Sequence, residues 1–600
     1  MNALSGSLLK CCVVAASCAL LTSTARANVY ATDIQVNGNL TNVVVSNGTP
    51  VSISYRLNQT ADLGVTVNIM SGASVVASIP GGTNMGRNTV SWTPATGGNF
   101  GVNITAAATG FPIWTQISVD TNAGMPAFDP QGLDVDKNTN SPYYGRVVMS
   151  CAQTGSGVGA QIDGLYKMNA DGSQADEGWY GYGGYTNDDY GDTAVGQMPN
   201  SGGFNPLFIR IGDDDRIYWN DNTAVGAIIA CDILASTNNG FQVVIDEGTN
   251  VANAPGFTVQ GTLYEIAPSN NYSKCPDFGD LLSGFGEGIQ QFDITATATS
   301  HGAVWLVDTG DNPNWGVWMF HLTNGAADPA DNIGTKAVAT GGALATTGSG
   351  VMIDSNLDIF IGQNISSPGA TNARCVSFHN WNGGQLPPEA GGYKYALTNG
   401  AAWQSGTNST SLLNIRDTVI DSRGQPKYVA LPMSSGSTYN GGIGVLNAAN
   451  GSFVTATNGT SIQTLTNIDY LNQYTCAAWD GVGNLYGAST SANLWRVWSP
   501  PGAGTNTTLA VVQIVVPGAP TVTITGISAV PTSPGCANVI ITFSATGNPA
   551  ASQFQLVSAS AVSGPYAPVN TGVTITGGSG TYQASFSNCS TQFYKIAEAP

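Results

Sequence analysis

The feature that most constrains the fold is a short unit that recurs along the middle of the chain. Its clearest copy is AAWDGVGNLYGASTSANLWRVWSPPG, residues 477–502. An apolar run ends at Trp479, turn-forming residues occupy 480–484, and a second apolar run begins at Leu485. This is the pattern of a β-hairpin. A third alternating strand then ends at the Ser-Pro-Pro-Gly of 499–502, because proline cannot continue a hydrogen-bonded ladder.

Five further segments repeat this pattern of an apolar run, a turn and a second apolar run. In the segment 299–308 the pair His301-Gly302 replaces the turn aspartate. A pattern typical of a third strand follows each hairpin. Six such units suit blades of about four strands with loop insertions. The turn positions of the six units are Asp136, Asp214, His301, Asp354, Asp421 and Asp480.

On these hairpins the chain resembles the six-bladed propellers of the NHL-repeat and gluconolactonase-like group. Blades of that group begin with a similar apolar, aspartate, turn and aromatic pattern. The resemblance implies a β-propeller over residues 113–516. Seven blades is the alternative, because the second unit also contains GAIIACDILAS and GFQVVIDEG, which both resemble strands.

The composition of the chain favours an all-β fold. Only 9% of the 600 residues are charged, glycine alone contributes 76 residues, and no stretch has a convincing 3.6-residue apolar period. Hydrophobic residues make up 42% of the chain, which is enough to bury a core. The formal net charge of −19 makes nucleic acid an improbable partner.

Residues 1–27 have the features of a secretory signal peptide. A single lysine precedes the apolar stretch CCVVAASCALL, and Ala25-Arg26-Ala27 is a suitable cleavage site. A lipoprotein signal ending at Cys18 is the alternative. We expect a secreted, extracellular or periplasmic protein after cleavage near Ala27, with no transmembrane segment, because no other stretch approaches ~20 apolar residues.

Two small β-sandwiches are predicted on either side of the propeller. Residues 28–112 contain VSISYRL, GVTVNIM and GRNTVSW. They resemble the immunoglobulin-like domain of flagellar hook-capping proteins (FlgD), a module typical of surface spacers. Residues 517–600 resemble fibronectin type III-like modules. The segment 508–516, TLAVVQIVV, is expected to be the outer strand of the propeller, and IWTQISV at 113–119 to add an edge strand.

Seven of the ten cysteines follow residue 27, so at least one is unpaired. Cys536 precedes one strand of the last module and Cys589 precedes another. If successive strands alternate in direction, both cysteines lie at the same end of facing sheets. The sequence therefore predicts a Cys536–Cys589 disulfide. The other cysteines stand alone in apolar runs, as expected of buried thiols.

Carboxylates are the best clue to metal chemistry. Asp134, Asp136 and Asn138 alternate like the start of a calcium loop, and Asp308 and Asp311 lie in a second acidic turn. The gluconolactonase-like resemblance also implies a divalent cation in a central pocket, so calcium is the expected cofactor if there is one. Acidic residues in turns more often bind backbone amides.

One glycine-rich segment, 178–192, carries five aromatic side chains suited to sugar rings or protein surfaces: Trp179, Tyr180, Tyr182, Tyr185 and Tyr190. A packed insertion is the competing interpretation.

Two functions follow from the sequence. The chain has three histidines and no recognisable hydrolase or kinase motif, which favours a non-enzymatic secreted or cell-surface protein that binds a glycan or a protein. The alternative is a calcium-dependent propeller hydrolase, lactonase or lyase that acts on a small molecule in the central channel.

Overall fold

The computed structural model describes residues 28–151 except 123 and 128, residues 164–176, and residues 441–598 except 453, 455–471, 519–520, 548, 570 and 591. Between 206 and 433 it describes the strands given below and a few neighbouring residues. These residues are all-β, as predicted, with one 3-10 turn at Ala551–Gln553 and no α-helix. None of the described residues forms a helix capable of crossing a membrane.

Two sheets that share one hydrophobic core form the first sandwich. Ile53 and Tyr55 from one sheet pack with Val67 and Ile104 from the other. The alternation of apolar and polar residues that predicted these strands is seen in their burial, as in Val51–Leu57. One sheet contains Ala31–Val36, Val51–Leu57 and Gly86–Trp92; the other contains Val43–Val44, Gly64–Ser71, Ser74–Pro80, Gly98–Phe111, Gly502–Leu509 and Ile514–Val516.

The last two strands of that sheet correct a sequence expectation. Residues 508–516 were expected to form the outer strand of the propeller. Instead, Gly502–Leu509 and then Ile514–Val516 pair antiparallel with Gly98–Phe111. The reason is burial, because Val512, Ile514 and Val516 all enter the core of the first sandwich. The first sandwich is therefore completed by chain that follows the repeated hairpins.

Six further sheets form what we call the six-sheet region. Within five of them every strand pair is antiparallel, whereas the second includes one parallel pair. Both runs that raised the alternative of a seventh blade belong to the second sheet. The sheets are Pro130–Val135, Val147–Cys151, Gly164–Met168; Pro206–Ile211, Arg216–Asp221, Ala227–Asp232, Phe241–Asp246, Phe257–Val259; Phe292–Ile294, His301–Asp308, Gly316–Thr323, Ala326–Ala327, Thr335–Ala339; Gly348–Ile353, Ile359–Gln363, Cys375–Phe378, Trp403–Gln404; Val419–Ile420, Tyr428–Met433, Gly442–Asn447; and Tyr474–Trp479, Leu485–Ser489, Leu494–Ser499, Thr115–Gln116.

The first strands of these sheets contact one another in sequence order. Each contacts the first strand of the next sheet, and Tyr474–Trp479 of the sixth sheet contacts Pro130–Val135 of the first. Thr115–Gln116, which precedes the first sheet in the chain, pairs with Leu494–Ser499 of the sixth, so the predicted edge strand is confirmed. Arg496 reinforces this pairing with three hydrogen bonds to Asp120: Nε to Oδ1 at 3.1 Å, Nε to Oδ2 at 3.2 Å and Nη2 to Oδ2 at 2.7 Å.

The hairpin register revises two turn positions. His301 begins the second strand of its hairpin and does not directly follow the first strand, Phe292–Ile294. Asp354 and Asp480 do directly follow the first strand of their hairpins, and the backbone N–H of each donates a hydrogen bond to the carbonyl oxygen of the residue four positions on. In the second sheet the backbone N–H of Gly212 makes the equivalent bond to Arg216 O at 3.0 Å. Gly212, rather than the expected Asp214, therefore occupies the repeated position.

Residues 522–598 form a second two-sheet sandwich with its own core, which includes Phe543, Phe554 and Tyr582. One sheet contains Val522–Ser533, Cys536–Ala545, Val573–Gly578 and Thr581–Asn588; the other contains Phe554–Ala559, Ala567–Pro568 and Phe593–Glu598.

The predicted Cys536–Cys589 disulfide is confirmed, with the two Cα atoms 4.0 Å apart. The reasoning behind it was wrong in one respect. Ala537 pairs directly with Asn588 in one sheet, so the disulfide joins neighbouring strands rather than facing sheets. Among the described residues, Cys151, Cys231, Cys375 and Cys476 are buried and form no disulfide.

Replacing Cys536 and Cys589 together by serine should lower the unfolding free energy of the second sandwich by about 2–4 kcal/mol, because the disulfide closes a long loop in the unfolded chain. Urea denaturation of the full chain, followed at Tyr582 and its neighbours, measures this. The single variant Cys536→Ser should show the same loss, and a reducing agent should bring the wild type to the same midpoint. An unchanged midpoint in the double variant would contradict the prediction.

Candidate functional site

Asp134, the first predicted calcium ligand, is buried and joins two sheets. Its Oδ1 accepts hydrogen bonds from Val135 N at 2.8 Å and from Lys137 Nζ at 2.7 Å. Its Oδ2 accepts one from the backbone N–H of Ile211 in the second sheet, at 2.8 Å. Both oxygens therefore already have partners within the protein.

Asp136 and Asn138 form a second link between the same sheets. Asp136 is fully buried, and its Oδ1 accepts a hydrogen bond from Asn138 N at 2.9 Å. The Asn138 side chain donates to Asp215 Oδ1 at 2.8 Å, across to the hairpin turn of the second sheet. Burial raises the pKa of Asp136 to about 7, against the opposing effect of a hydrogen bond from Ser141. Burial also raises the pKa of Asp215.

These predicted ligands come together as a structural cluster at the turns of the first two sheets. The part of the chain that the structure describes holds no group of three or more His, Cys, Asp or Glu side chains able to bind a metal ion. Asp308 ends the strand His301–Asp308, but its side chain is not among those described, and Asp311 lies outside the described residues. The five aromatic residues of 178–192 also lie outside them.

The structure reveals a charged junction that the sequence did not indicate. Arg56 of the first sandwich binds Asp171 Oδ2 at 3.3 Å and Asp176 Oδ1 at 3.0 Å, both in the turn after the first sheet. Arg87 also binds Asp176 and shares Asp33 with Arg56. Burial alone would raise the pKa of Asp176, but the hydrogen bond from Gln35 and the charges of Arg87 and Arg56 lower it.

A second part of the junction surrounds Asp480 of the sixth sheet and is held by hydrogen bonds. The Asp480 carboxylate is fully buried and accepts hydrogen bonds from three backbone N–H groups of 482–484. It also accepts one from Asn484 Nδ2 at 2.6 Å and one from the Tyr486 hydroxyl at 3.3 Å. Burial raises the pKa of this carboxyl group.

Residues at the start of the first sandwich pack onto this turn. Tyr30 and Tyr144 meet edge to face with ring centroids 5.5 Å apart. Gly145 has φ +82°, and a Cβ there would lie 2.4 Å from Thr32 Cγ2 and 3.0 Å from the Tyr30 hydroxyl. Only glycine therefore allows this close approach of the two units.

The signal for this junction in the sequence was weak. Asp480 was identified as a turn residue, but its neighbours Asn28 and Tyr30 are about 450 residues away in the chain. Arg56 and Arg87 lie on alternating strands, where a cation usually faces solvent. The two arginines fix the position of Asp176. The aromatic segment 178–192 begins two residues later in the sequence.

Comparisons with known proteins leave the chain without an assigned family. No family model and no curated protein matches it. Among solved structures, it is similar to a protein of unknown function from Bacteroides thetaiotaomicron, with 10% identity over 80% of this chain and 98% of that chain and a TM-score of 0.32. This likeness is too distant to support an inference about fold or function.

Asp136 predicts a pH dependence of stability. Its folded pKa is about 7, above the ordinary value of 3.8 for an aspartate. Between these values the folded protein binds a proton that the unfolded chain has lost, so stability falls as pH rises through this window. Wild type should therefore lose about 2 kcal/mol more than Asp136→Asn when urea unfolding is compared at pH 5 and pH 8.

Asp215 and Asp480 also make stability fall as pH rises, and they do so in both wild type and Asp136→Asn. The difference between the pH profiles of these two proteins therefore reports the contribution of Asp136. Asp62→Asn is the matched control, because hydrogen bonds from Thr109 lower the pKa of Asp62 and it does not titrate in this window. Equal pH profiles for wild type and Asp136→Asn would show that the prediction is wrong.

Proposed function

We propose that this is a secreted or cell-surface protein that binds a glycan or another protein without converting it, and that its six-sheet region is a six-bladed β-propeller. Support for the propeller comes from the first strands, which contact one another in a series that returns to its start. Further support is that Thr115–Gln116 completes the last sheet from a position before the first, a common way of closing such a ring.

The observation that carries the binding proposal is the ion-pair junction at Asp176. Arg56 is 13% exposed at its side chain and contacts Asp33, Asp171 and Asp176 together, so its position is fixed by three carboxylates. In the sequence, the aromatic segment 178–192 begins two residues after Asp176. A binding segment that is anchored at its base loses less conformational entropy when it meets a ligand.

The flanking units fit the same proposal. The second sandwich carries a disulfide, and disulfides persist mainly in oxidising compartments such as the periplasm or cell exterior. We propose that it is a fibronectin type III-like spacer and that the first sandwich is immunoglobulin-like. In the first, strand pairing with Gly502–Leu509 adds a structural role to that of a spacer.

A calcium-dependent hydrolase, lactonase or lyase is the alternative. It would require Asp134 Oδ2 to exchange Ile211 N, and Asn138 Oδ1 to exchange Asn140 N, for a cation. The bond between Asp134 and Ile211 joins two neighbouring sheets, so the exchange would weaken the contact between them. This cost makes the described carboxylates better suited to structure than to catalysis.

The aromatic segment can be tested by changing Trp179, Tyr180, Tyr182, Tyr185 and Tyr190 together to serine in the full exported chain. Binding to glycan arrays and to intact cells should fall by on the order of tenfold or more, because aromatic anchors dominate binding surfaces. The unfolding free energy should stay within about 1 kcal/mol of wild type. Phe593→Ser, which removes an aromatic side chain that is 41% exposed in the second sandwich, is the matched control.

Two results would contradict the proposal. A large loss of stability in the five-residue variant would show that the segment packs against the fold. Binding that is unchanged in this variant but abolished by a calcium chelator, with turnover of a lactone substrate, would favour the enzyme.

A further inference from the structure

Asn28, the residue that follows the predicted cleavage site at Ala27, is completely buried. Its side-chain Nδ2 donates a hydrogen bond to Gly483 O at 3.1 Å. Its carbonyl oxygen accepts bonds from Asn58 Nδ2 and Asn484 Nδ2, both at 2.9 Å. The first residue of the predicted mature chain is therefore built into the junction between the first sandwich and the sixth sheet.

The Asp480 carboxylate, on the same turn, has only neutral partners. These are the backbone amides of 482–484, the Asn484 side chain and the Tyr486 hydroxyl. No described Lys or Arg side chain forms an ion pair with it. A buried carboxylate without a counter-charge costs several kcal/mol, so such a group usually acquires a cation or a proton.

One amide nitrogen joins these two residues. Asn484 Nδ2 donates to Asn28 O at 2.9 Å and to Asp480 Oδ2 at 2.6 Å. The carbonyl oxygen of Asn28, in the same residue as the new terminus, is thus separated from the carboxylate by a single hydrogen-bonded atom. The titratable side chains that face Asp480 are Tyr30, Tyr144 and Tyr486, and burial raises the pKa of each, so all three are neutral at pH 6–9.

We propose that cleavage before Asn28 creates an α-ammonium group that forms a buried ion pair with Asp480. A signal peptidase adds water across the Ala27–Asn28 peptide bond, so that Ala27 gains the carboxylate and Asn28 the amine. The amine takes up a proton at neutral pH, since its ordinary pKa is about 7.7–8.0. This inference rests on the secreted location proposed above, but not on any bound ligand.

The consequence is that the junction reaches full stability only after export. In the uncleaved precursor the Asn28 nitrogen is a neutral amide and Asp480 has no cation. After cleavage the pair locks the first sandwich against the sixth sheet. An ammonium group whose pKa is raised by a carboxylate contributes stability below its unfolded pKa, and this contribution is lost as pH rises through the folded pKa.

Reactivity of the α-amino group tests the pair directly. The full chain is exported, its first residue is checked by N-terminal sequencing, and the rate of reaction with an amine-specific reagent is measured from pH 6 to pH 11. We expect the α-amino pKa to lie at least one unit above the ordinary value in wild type and to return to or below it in Asp480→Asn. The same pKa in both proteins, or the rate of an exposed terminus, would overturn the proposal.

A second comparison covers the case in which Asp480→Asn does not fold. A chain with one additional Ala before Asn28 moves the ammonium group out of place and keeps Asp480. Its thermal midpoint should be below that of wild type at pH 7, and the difference should disappear near pH 11. A difference that is the same at both pH values would also overturn the proposal. Neither measurement involves glycan or protein binding, so its failure is distinct from failure of the proposed function.

Discussion

The rest of the structure depends on one long strand, Gly98–Phe111, which pairs with strands from two distant parts of the chain. Gly98–Phe111 pairs with Gly64–Ser71 on one side and with Gly502–Leu509 and Ile514–Val516 on the other. It therefore joins segments about 400 residues apart. Closing so long a loop is entropically unfavourable, and the burial of Val512, Ile514 and Val516 in the first core offsets that cost.

This pairing also brings together the two ends of the six-sheet region. The chain leaves Gly98–Phe111 and reaches Thr115–Gln116 within a few residues, where it completes the sixth sheet. The sixth sheet then returns the chain to the first sandwich at Gly502. Both ends of the six-sheet region thus lie beside the first sandwich, which includes strands from chain that follows that region.

Several ion pairs among the described residues lie where parts of the chain meet. Arg56 and Arg87 connect the first sandwich to Asp171 and Asp176, and Arg496 connects the sixth sheet to Asp120. Asp134 and Asn138 connect the first two sheets in the same way. Buried ion pairs contribute little net stability but strongly disfavour arrangements that leave one charge unpaired. We infer that they determine which surfaces meet.

The sequence predicted local structure well, because local structure depends on neighbouring residues. The alternation of apolar and polar residues identified the strand Val51–Leu57. The hairpin around Asp480 was recognised from its turn residues. The partner of each strand was harder to predict: the apolar run at 508–516 was recognised as a strand, yet its pairing with Gly98–Phe111 depends on a distant core. Three consecutive aspartates at 213–215 hid the equivalence of Gly212 to Asp480.

For the candidate site, too, the sequence identified individual residues but not their distant partners. Asp134 and Asn138 were predicted as ligands of one calcium loop, but their partners Ile211 and Asp215 come from the next sheet, so both side chains link two sheets. The Cys536–Cys589 disulfide was predicted from the positions of strand ends, although the sheet that contains both strands was not. Contacts across hundreds of residues, such as Arg56 with Asp176, leave no local pattern in the sequence.

Hydrogen exchange of the full chain, followed by mass spectrometry of peptides, tests most directly whether the first sandwich and the six-sheet region form one unit. Peptides covering Ala31–Val36, Gly98–Phe111, Leu494–Ser499 and Ile514–Val516 should share one opening free energy. The peptide covering Cys536–Ala545 should open separately. Independent opening of Gly98–Phe111 and Leu494–Ser499 would contradict the idea that one strand pairing holds the first sandwich and the six-sheet region together.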